Sequence, residues 1–143
     1  MAVDATQILG GLYQGATPPI GADVRKAGFD ALVLSAQDYQ PASALFPGVA
    51  VYHVPFWDDY QNELPPETME RVRAAARFVV TSLRRGENVL VTCWLGLNRS
   101  GLIVGLALKA LTGLPGSHVL ALIQGQRSGS LQNPRFCDLL LGQ

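Results

Sequence analysis

Several features that would define a special class of protein are scarce in this sequence. It has only two cysteines, Cys93 and Cys137, which are too few for a disulfide framework and are typical of a reduced, intracellular protein. Its 11 basic and 11 acidic residues give no net charge, so the composition argues against a nucleic-acid or membrane partner. Histidines and cysteines lack the spacing of a metal site, and we expect neither a metal nor a cofactor.

Long apolar segments and targeting signals are also absent. The longest apolar stretch, 101–110, contains Lys109 and is too short to cross a bilayer. Residues 1–10 lack the basic start and apolar run of a secretory signal peptide. We therefore expect a cytoplasmic protein without a membrane anchor. Because the 143 residues contain no repeat or linker, we expect one domain over residues 1–143, and no feature indicates a particular oligomeric state.

Short apolar strands alternate with helical segments along the chain. One or two strands are predicted over 8–13, and others over 31–34, 49–54 and 88–91, with Pro55 stopping the strand 49–54. Helices are predicted over 20–27, 65–85, 101–111, 118–124 and 134–141, with Ser117 capping the fourth. This alternation predicts an α/β fold with a central, mainly parallel sheet of four to five strands that is flanked by helices and covered on both faces.

The segment between the predicted strand 88–91 and the helix 101–111 contains the residues best suited to chemistry. Cys93 and Arg99 enclose five residues, and a loop of this length can turn successive backbone N–H groups inward to bind an anion. Gly96 permits a backbone conformation that a side chain would resist. Arg99 can donate two parallel hydrogen bonds to phosphate oxygens. The predicted substrate-binding residues are Trp94, Leu95, Gly96, Leu97, Asn98 and Arg99.

Cys93 is the predicted nucleophile. An isolated cysteine is more often a buried apolar residue, which is how we interpret Cys137, but the strand–loop–helix context favours catalysis at Cys93. The positive field of the loop and helix favours its thiolate, which could attack phosphorus and form a thiophosphate intermediate. Ser100 could hydrogen-bond the sulfur as it leaves in the second step.

A general acid is needed to protonate the leaving oxygen, and the candidates are Asp58 and Asp59. Both follow the predicted strand 49–54, so they leave the sheet at the carboxyl edge where Cys93 is expected. For Asp59, capping of a turn is the favoured interpretation. The neighbouring Trp57 and Tyr60 could either form a wall of the pocket or pack in the core.

The loop matches the pattern C-x-x-G-x-x-R-[ST], with Cys93, Gly96, Arg99 and Ser100 in its fixed places. The chain therefore resembles the dual-specificity branch of the cysteine-based protein tyrosine phosphatases. That resemblance implies hydrolysis of phosphotyrosine, and of phosphoserine or phosphothreonine, in a phosphorylated protein. It also implies that Asp58, three residues after Pro55, is the general acid. The family normally has His before the cysteine, and Thr92 stands in that place.

Two other functions remain open at this point. The residues Gly96-Leu97-Asn98-Arg99 are similar to the loops of RNA 5′-triphosphatases, which act on a polyphosphate, although the chain has no evident basic track for a nucleic-acid backbone. Thr92 would suit a pseudophosphatase scaffold that binds phosphate without turnover. Inositol lipids are disfavoured because the loop contains no lysine.

Overall fold

The computed structural model describes residues 2–142, which form one five-stranded sheet and four α-helices. The strand order is β1-β2-β5-β3-β4, and β1 is antiparallel to β2 while the other neighbours are parallel. This confirms the predicted α/β fold. The strands are β1 (Thr6–Leu9), β2 (Leu12–Ala16), β3 (Ala31–Ala36), β4 (Ala50–Phe56) and β5 (Val89–Cys93). The helices are α1 (Pro66–Arg84), α2 (Arg99–Thr112), α3 (Gly116–Gln126) and α4 (Pro134–Gly142), and Ser43–Leu45 forms a 3₁₀ turn.

The two faces of the sheet are covered differently. Alternate residues of the central strands, such as Val33 and Val91, pack into a large core to which all four helices contribute. The residues between them, such as Leu32 and Leu90, pack into a smaller cluster against the segment 24–46. The sheet is therefore covered on both faces, by the four α-helices on one face and by turns, including the 3₁₀ turn Ser43–Leu45, on the other.

The segment 20–27, predicted to be helical, is a series of turns that ends at Gly28. The Asp23 carboxylate accepts a hydrogen bond from the N–H of Lys26 at 2.9 Å. Asp side chains compete in this way with helical hydrogen bonds and favour turns. The run between Gly21 and Gly28 is also too short to repay helix nucleation.

Two smaller expectations are also wrong. Pro55 does not stop its strand, because β4 lies at the edge of the sheet, where a residue without an N–H leaves no neighbour unpaired. Ser117 does not cap α3, which begins at Gly116 with Pro115 at the N-cap position and without a side-chain cap. Pro115 has an extended backbone, with φ −59° and ψ 151°, and this conformation is typical of an N-cap position.

Helix α2 is the central element that positions the site. All ten residues from Arg99 to Leu108 are buried, because α2 packs against the sheet and against α1, α3 and α4. Its nearly continuous apolar sequence follows from this contact on all sides. Among residues 2–142, no helix combines the length and the apolar character that are needed to span a membrane.

Candidate active site

The predicted anion-binding loop lies at the carboxyl edge of the sheet. Strand β5 ends at Cys93, residues 94–98 form the loop, and α2 begins at Arg99. Since β5 lies between β2 and β3, the segments that follow Ala16 and Ala36 border this loop on either side. The N–H of Thr17 donates to the carbonyl of Cys93 at 2.8 Å and fixes the strand end beside β2.

Three successive carbonyl groups of the loop, those of residues 95–97, are hydrogen-bonded to the scaffold. The carbonyl of Gly96 accepts from Gln14 Nε2 at 2.9 Å and from Arg127 Nε at 2.8 Å. Arg127 Nη2 also donates to the carbonyl of Leu95 at 3.1 Å. The side-chain amide of Gln14 and the guanidinium of Arg127 therefore hold the two successive carbonyl groups at 95 and 96 in one orientation.

The amide groups of the loop are left without protein partners. The carbonyl of Leu97 accepts from the N–H of Leu131 at 3.2 Å, so it too points to the scaffold. Within the described chain, no hydrogen bond is donated by the backbone N–H groups of residues 94–98. A run of backbone N–H groups without protein partners, next to a helix N-terminus, is suited to an anion.

Gly96 is required by both conformation and space. Its φ is +72°, in the left-handed region that side chains rarely adopt. A Cβ at this position would lie 2.2 Å from the backbone carbon of Gly15 in β2. The loop can therefore rest against β2 only with glycine at residue 96.

Cys93, at the end of β5, is buried, with only 3% of the residue exposed. Its Sγ is 3.3 Å from Ser100 Oγ, a contact in which the hydroxyl can donate to the sulfur. Both cysteines of the chain are free thiols. Cys137 is half-buried in α4 and its Sγ donates to the carbonyl of Leu131, and burial raises the pKa of this second thiol.

Arg99 is held by one edge of its guanidinium. Its Nη1 donates to Asp38 Oδ1 at 2.9 Å and to the carbonyl of Phe56 at 3.1 Å. Its Nε is buried and has no partner among the described residues, so this donor remains for a ligand. Partial burial acts to raise the pKa of Asp38, but hydrogen bonds from Arg99 and from its own backbone outweigh this effect and lower it.

The Asp58 carboxylate is fixed by two amides. Its Oδ2 accepts from Asn98 Nδ2 at 2.9 Å, and its Oδ1 accepts from Asn133 Nδ2 at 2.7 Å. Asn98 Nδ2 also donates to Tyr60 Oη at 2.9 Å. The hydrogen bond from Asn98 ties the segment that carries Asp58 to the loop between Cys93 and Arg99.

The side chain of Asn98 does not face the anion site. Its Oδ1 accepts from the backbone N–H groups of Gln132 at 2.8 Å and Asn133 at 3.2 Å, while its Nδ2 is used by Asp58. Only its backbone N–H remains for a ligand. Asn98 is one of the predicted substrate-binding residues, but its side chain instead joins the loop to the segment of Asp58 and to residues 132–133.

Asp59 forms the turn that follows Asp58. Its carboxylate accepts from the N–H groups of Gln61 at 2.8 Å and Asn62 at 3.1 Å. Hydrogen bonds from the Asn62 side chain and from these backbone groups lower the pKa of Asp59. The Asp59 side chain therefore caps a turn, as the sequence predicts.

Large apolar side chains stand around the site and are exposed. Trp57 is 62%, Trp94 52% and Leu95 64% exposed, and Trp94 makes an edge contact with Tyr39 with ring centroids 5.8 Å apart. Trp57 and the 47%-exposed Tyr60 do not pack in the core, so they belong to the rim. The rim can contact apolar or aromatic groups beside a bound anion.

Thr92 bonds to the sheet and leaves the loop to other residues. Its Oγ1 donates to the carbonyl of Val33 at 2.7 Å, and its own carbonyl accepts from Ser35 Oγ at 2.7 Å. These bonds join β5 to β3. In this chain, the orientation of the loop comes from Gln14 and Arg127.

Arg127 is itself held by Asp4, which lies 123 positions away and is not linked to it by any sequence pattern. Its Nη2 donates to Asp4 Oδ2 at 2.7 Å, and Asp4 also accepts from the N–H of Ala16 at 3.1 Å. The hydrogen bond from Arg127 is the main cause that lowers the pKa of Asp4.

The Asp4→Asn variant is expected to lose less stability than the wild type as the pH falls. Because the folded pKa of Asp4 lies below its ordinary value of 3.8, the carboxylate stabilises the fold above that pH and this contribution disappears as the pH falls through the folded pKa. Melting temperatures measured between about pH 6 and pH 3 should fall more steeply for the wild type, with the two curves converging in acid. The other low-pKa carboxylates are present in both proteins and cancel. Parallel curves would contradict this role of Asp4.

Solved structures of other proteins share the fold of this chain. No protein-family model and no curated protein matches the sequence. Among solved structures, Tk-PTP in its active form is 26% identical, with 98% of this chain and 95% of that chain covered and a TM-score of 0.83. Human DUSP28 is 22% identical, with 98% and 92% covered and a TM-score of 0.81. A mouse dual specificity phosphatase complexed with zinc tungstate is 22% identical, with 98% and 86% covered and a TM-score of 0.82. These likenesses confirm, for the fold, the resemblance to the dual-specificity branch.

Proposed function

We propose that this protein is a phosphatase that hydrolyses phosphotyrosine, and also phosphoserine or phosphothreonine, in proteins through a phosphocysteine intermediate. The observation that carries the proposal is the arrangement of the loop. Its carbonyl groups at 95–97 are bonded to the scaffold, its N–H groups at 94–98 have no protein partner, Cys93 is buried, and the Nε of Arg99 is unpaired among the described residues. Its two free cysteines fit the reducing cytoplasm, where we propose that it acts.

In the first step, the thiolate of Cys93 attacks phosphorus, and the bond from phosphorus to the leaving oxygen breaks. The loop amides and Arg99 stabilise the charge on the equatorial phosphoryl oxygens. Asp58 donates its proton to the leaving oxygen, so the substrate departs as an alcohol or phenol. The products of this step are the dephosphorylated protein and a phosphorylated cysteine.

In the second step, water attacks the phosphocysteine while Asp58 accepts one of its protons. The bond from sulfur to phosphorus breaks, and inorganic phosphate is released. Ser100 Oγ, 3.3 Å from Cys93 Sγ, donates a hydrogen bond to the sulfur as its negative charge returns. Asp58 is then protonated again and Cys93 is a thiolate, as at the start.

Protein is the favoured substrate class because of the rim. The exposed Trp57, Trp94 and Leu95 suit the apolar and aromatic side chains that flank a phosphorylated residue. The residues between Cys93 and Arg99 include no lysine that could bind a second phosphate of an RNA end or an inositol lipid.

The test is release of inorganic phosphate from four substrates: a phosphotyrosine peptide, a phosphoserine peptide, 5′-triphosphorylated RNA and a phosphoinositide. We expect the highest kcat/KM with a phosphopeptide. Preference for the RNA end would favour the polyphosphatase alternative. Tungstate, present in the complex of the mouse relative, offers a binding assay that does not depend on turnover. Tungstate binding without release of phosphate from any substrate would indicate a pseudophosphatase.

Asp58→Ala is expected to lower kcat for a phosphotyrosine peptide by about 10²–10³-fold, because the leaving phenoxide would depart without a proton. The loss should be smaller for an aryl phosphate whose leaving group is already a weak base. Asp59→Ala is the matched control. Because the Asp59 carboxylate is hydrogen-bonded within its own turn, this substitution should leave kcat nearly unchanged. If Asp59→Ala were the more damaging change, Asp58 would not be the acid.

A further inference from the structure

Basic and acidic residues are unevenly distributed along this neutral chain. Residues 71–137 contain nine of the 11 basic residues and only one of the 11 acidic residues, Glu87. Five of these basic residues are arginines between 71 and 85, a stretch without any acidic residue. Most of that stretch lies in α1, so one helix carries a local positive charge that the composition conceals.

Three of these arginines line a groove of about 420 Å³ between α1 and α2. They are Arg73, Arg77 and Arg84, and their spacing places them on one face of α1. The floor of the groove is apolar and recessed, with Ala76 7%, Val80 8% and Leu106 9% exposed. The groove thus combines a cationic rim with an apolar floor.

The guanidinium groups of this rim make few contacts with other side chains of the protein. Arg77 Nη2 lies 3.5 Å from Glu70 Oε1, and both side chains are well exposed, so this pair is weak. Arg73 and Arg84 make no hydrogen bond or ion pair with any residue that the structure describes. The proposed catalytic residues do not use this surface, because the groove borders the second half of α2 and Arg99 lies at its start.

We propose that this groove binds a peptide segment that combines acidic and apolar side chains. Carboxylates of the segment would pair with the three arginines, which suit bidentate contacts, and its apolar side chains would enter the groove. A flat bilayer surface is less suited, because the apolar floor is recessed below the arginines and cannot reach acyl chains. The inference does not depend on the proposed phosphatase activity.

The probe is a fluorescein-labelled peptide with leucine and glutamate at helical spacing, and binding is followed by fluorescence anisotropy. We expect wild-type protein to bind it, with an affinity that falls as salt rises. The triple variant Arg73→Gln, Arg77→Gln, Arg84→Gln should bind about tenfold more weakly. Ala110→Trp, which fills the groove without changing charge, should also weaken binding.

A charge control is Arg25→Gln with Lys26→Gln, which removes two positive charges, one of them paired with Asp30, near the cluster on the other face of the sheet. It should bind the peptide like the wild type, and hydrolysis of an aryl phosphate should be equal in all these variants. The same peptide with lysine in place of glutamate should not bind.

Three results would overturn the proposal. One is equal binding of the acidic peptide, or no binding, by wild type and triple variant. Another is binding to vesicles of anionic phospholipid, lost in the triple variant, without binding to the peptide. The third is a dimer in sedimentation that the triple variant abolishes, because the groove would then belong to a second copy of this chain.

Discussion

Cys93→Ser is expected to lower the kcat/KM for an aryl phosphate by roughly 10⁴-fold or more, while the protein still binds tungstate. A serine hydroxyl stays protonated at neutral pH unless a base removes its proton. The only side chain hydrogen-bonded to Cys93 Sγ in the described chain is Ser100, which is not a base. The loop amides and Arg99 are untouched by this substitution, so the oxyanion should still be bound.

A second measurement tests the intermediate itself. Rapid acid quenching during turnover should trap phosphate on Cys93 of the wild type, detectable by mass spectrometry, and none on the serine variant. Cys137→Ser is the matched control, because that thiol donates to the carbonyl of Leu131 in α4 and has no place in the reaction. Equal turnover by wild type and Cys93→Ser would remove Cys93 from the mechanism.

The serine variant also separates the enzyme from the scaffold alternative. Thr92 is the one departure from the family pattern, and its hydroxyl bonds to β3 rather than to the loop. The hydrogen bonds from Gln14 and Arg127 provide the orientation of the loop without it. We therefore expect wild-type turnover to be well above that of Cys93→Ser, whereas equal tungstate binding with no turnover in both proteins would support a scaffold.

Elements with a strong local signal were predictable from the sequence. The helix predicted over 65–85 is α1 (Pro66–Arg84), because its apolar stripe and the glycine after it act within the segment itself. The wrong predictions concern segments whose structure depends on contacts with residues distant in the sequence. Pro55 is tolerated because of the position of β4 in the sheet, and the segment 20–27 is held by turns against the second face.

The candidate site shows the same division. That Cys93, Gly96 and Arg99 share one loop was predictable, because strand, loop and helix are consecutive in the chain. Their supports were not, since Asp38 is 61 positions from Arg99 and Asp4 is 123 from Arg127. For Asp38, a usable signal was its position just after β3, which borders β5 at the edge where the loop was expected.

The Asn98 side chain is a further case. Its place between Cys93 and Arg99 predicts contact with the substrate, but the fold brings Asp58 and Asn133 beside it. Both its amide nitrogen and its carbonyl oxygen then satisfy protein groups. A residue that is in the loop by sequence thus joins the loop to the segment that carries the proposed acid.

Arg99→Lys is expected to lower kcat/KM by about 10²–10³-fold, nearly as much as removal of the whole side chain. The guanidinium can donate from Nη1 to Asp38 and Phe56 while Nε remains free for a phosphoryl oxygen. An ammonium group has no second edge, so a lysine held by Asp38 cannot present an oriented pair of donors to the transition state. The measurement is kcat/KM with a phosphopeptide, together with tungstate affinity.

The Asp38→Asn variant distinguishes two roles of Asp38, its negative charge near Arg99 and its orientation of the Arg99 guanidinium. An asparagine oxygen can still accept from Arg99 Nη1, and Phe56 still holds that nitrogen, so we expect less than about tenfold loss in kcat. Removing the competing carboxylate should at the same time tighten tungstate binding, because the guanidinium is then attracted to the anion alone. If Arg99→Lys kept nearly full activity while Asp38→Asn abolished it, Arg99 would act as a counterion to Asp38, and the anion would have to be held by the loop amides without it.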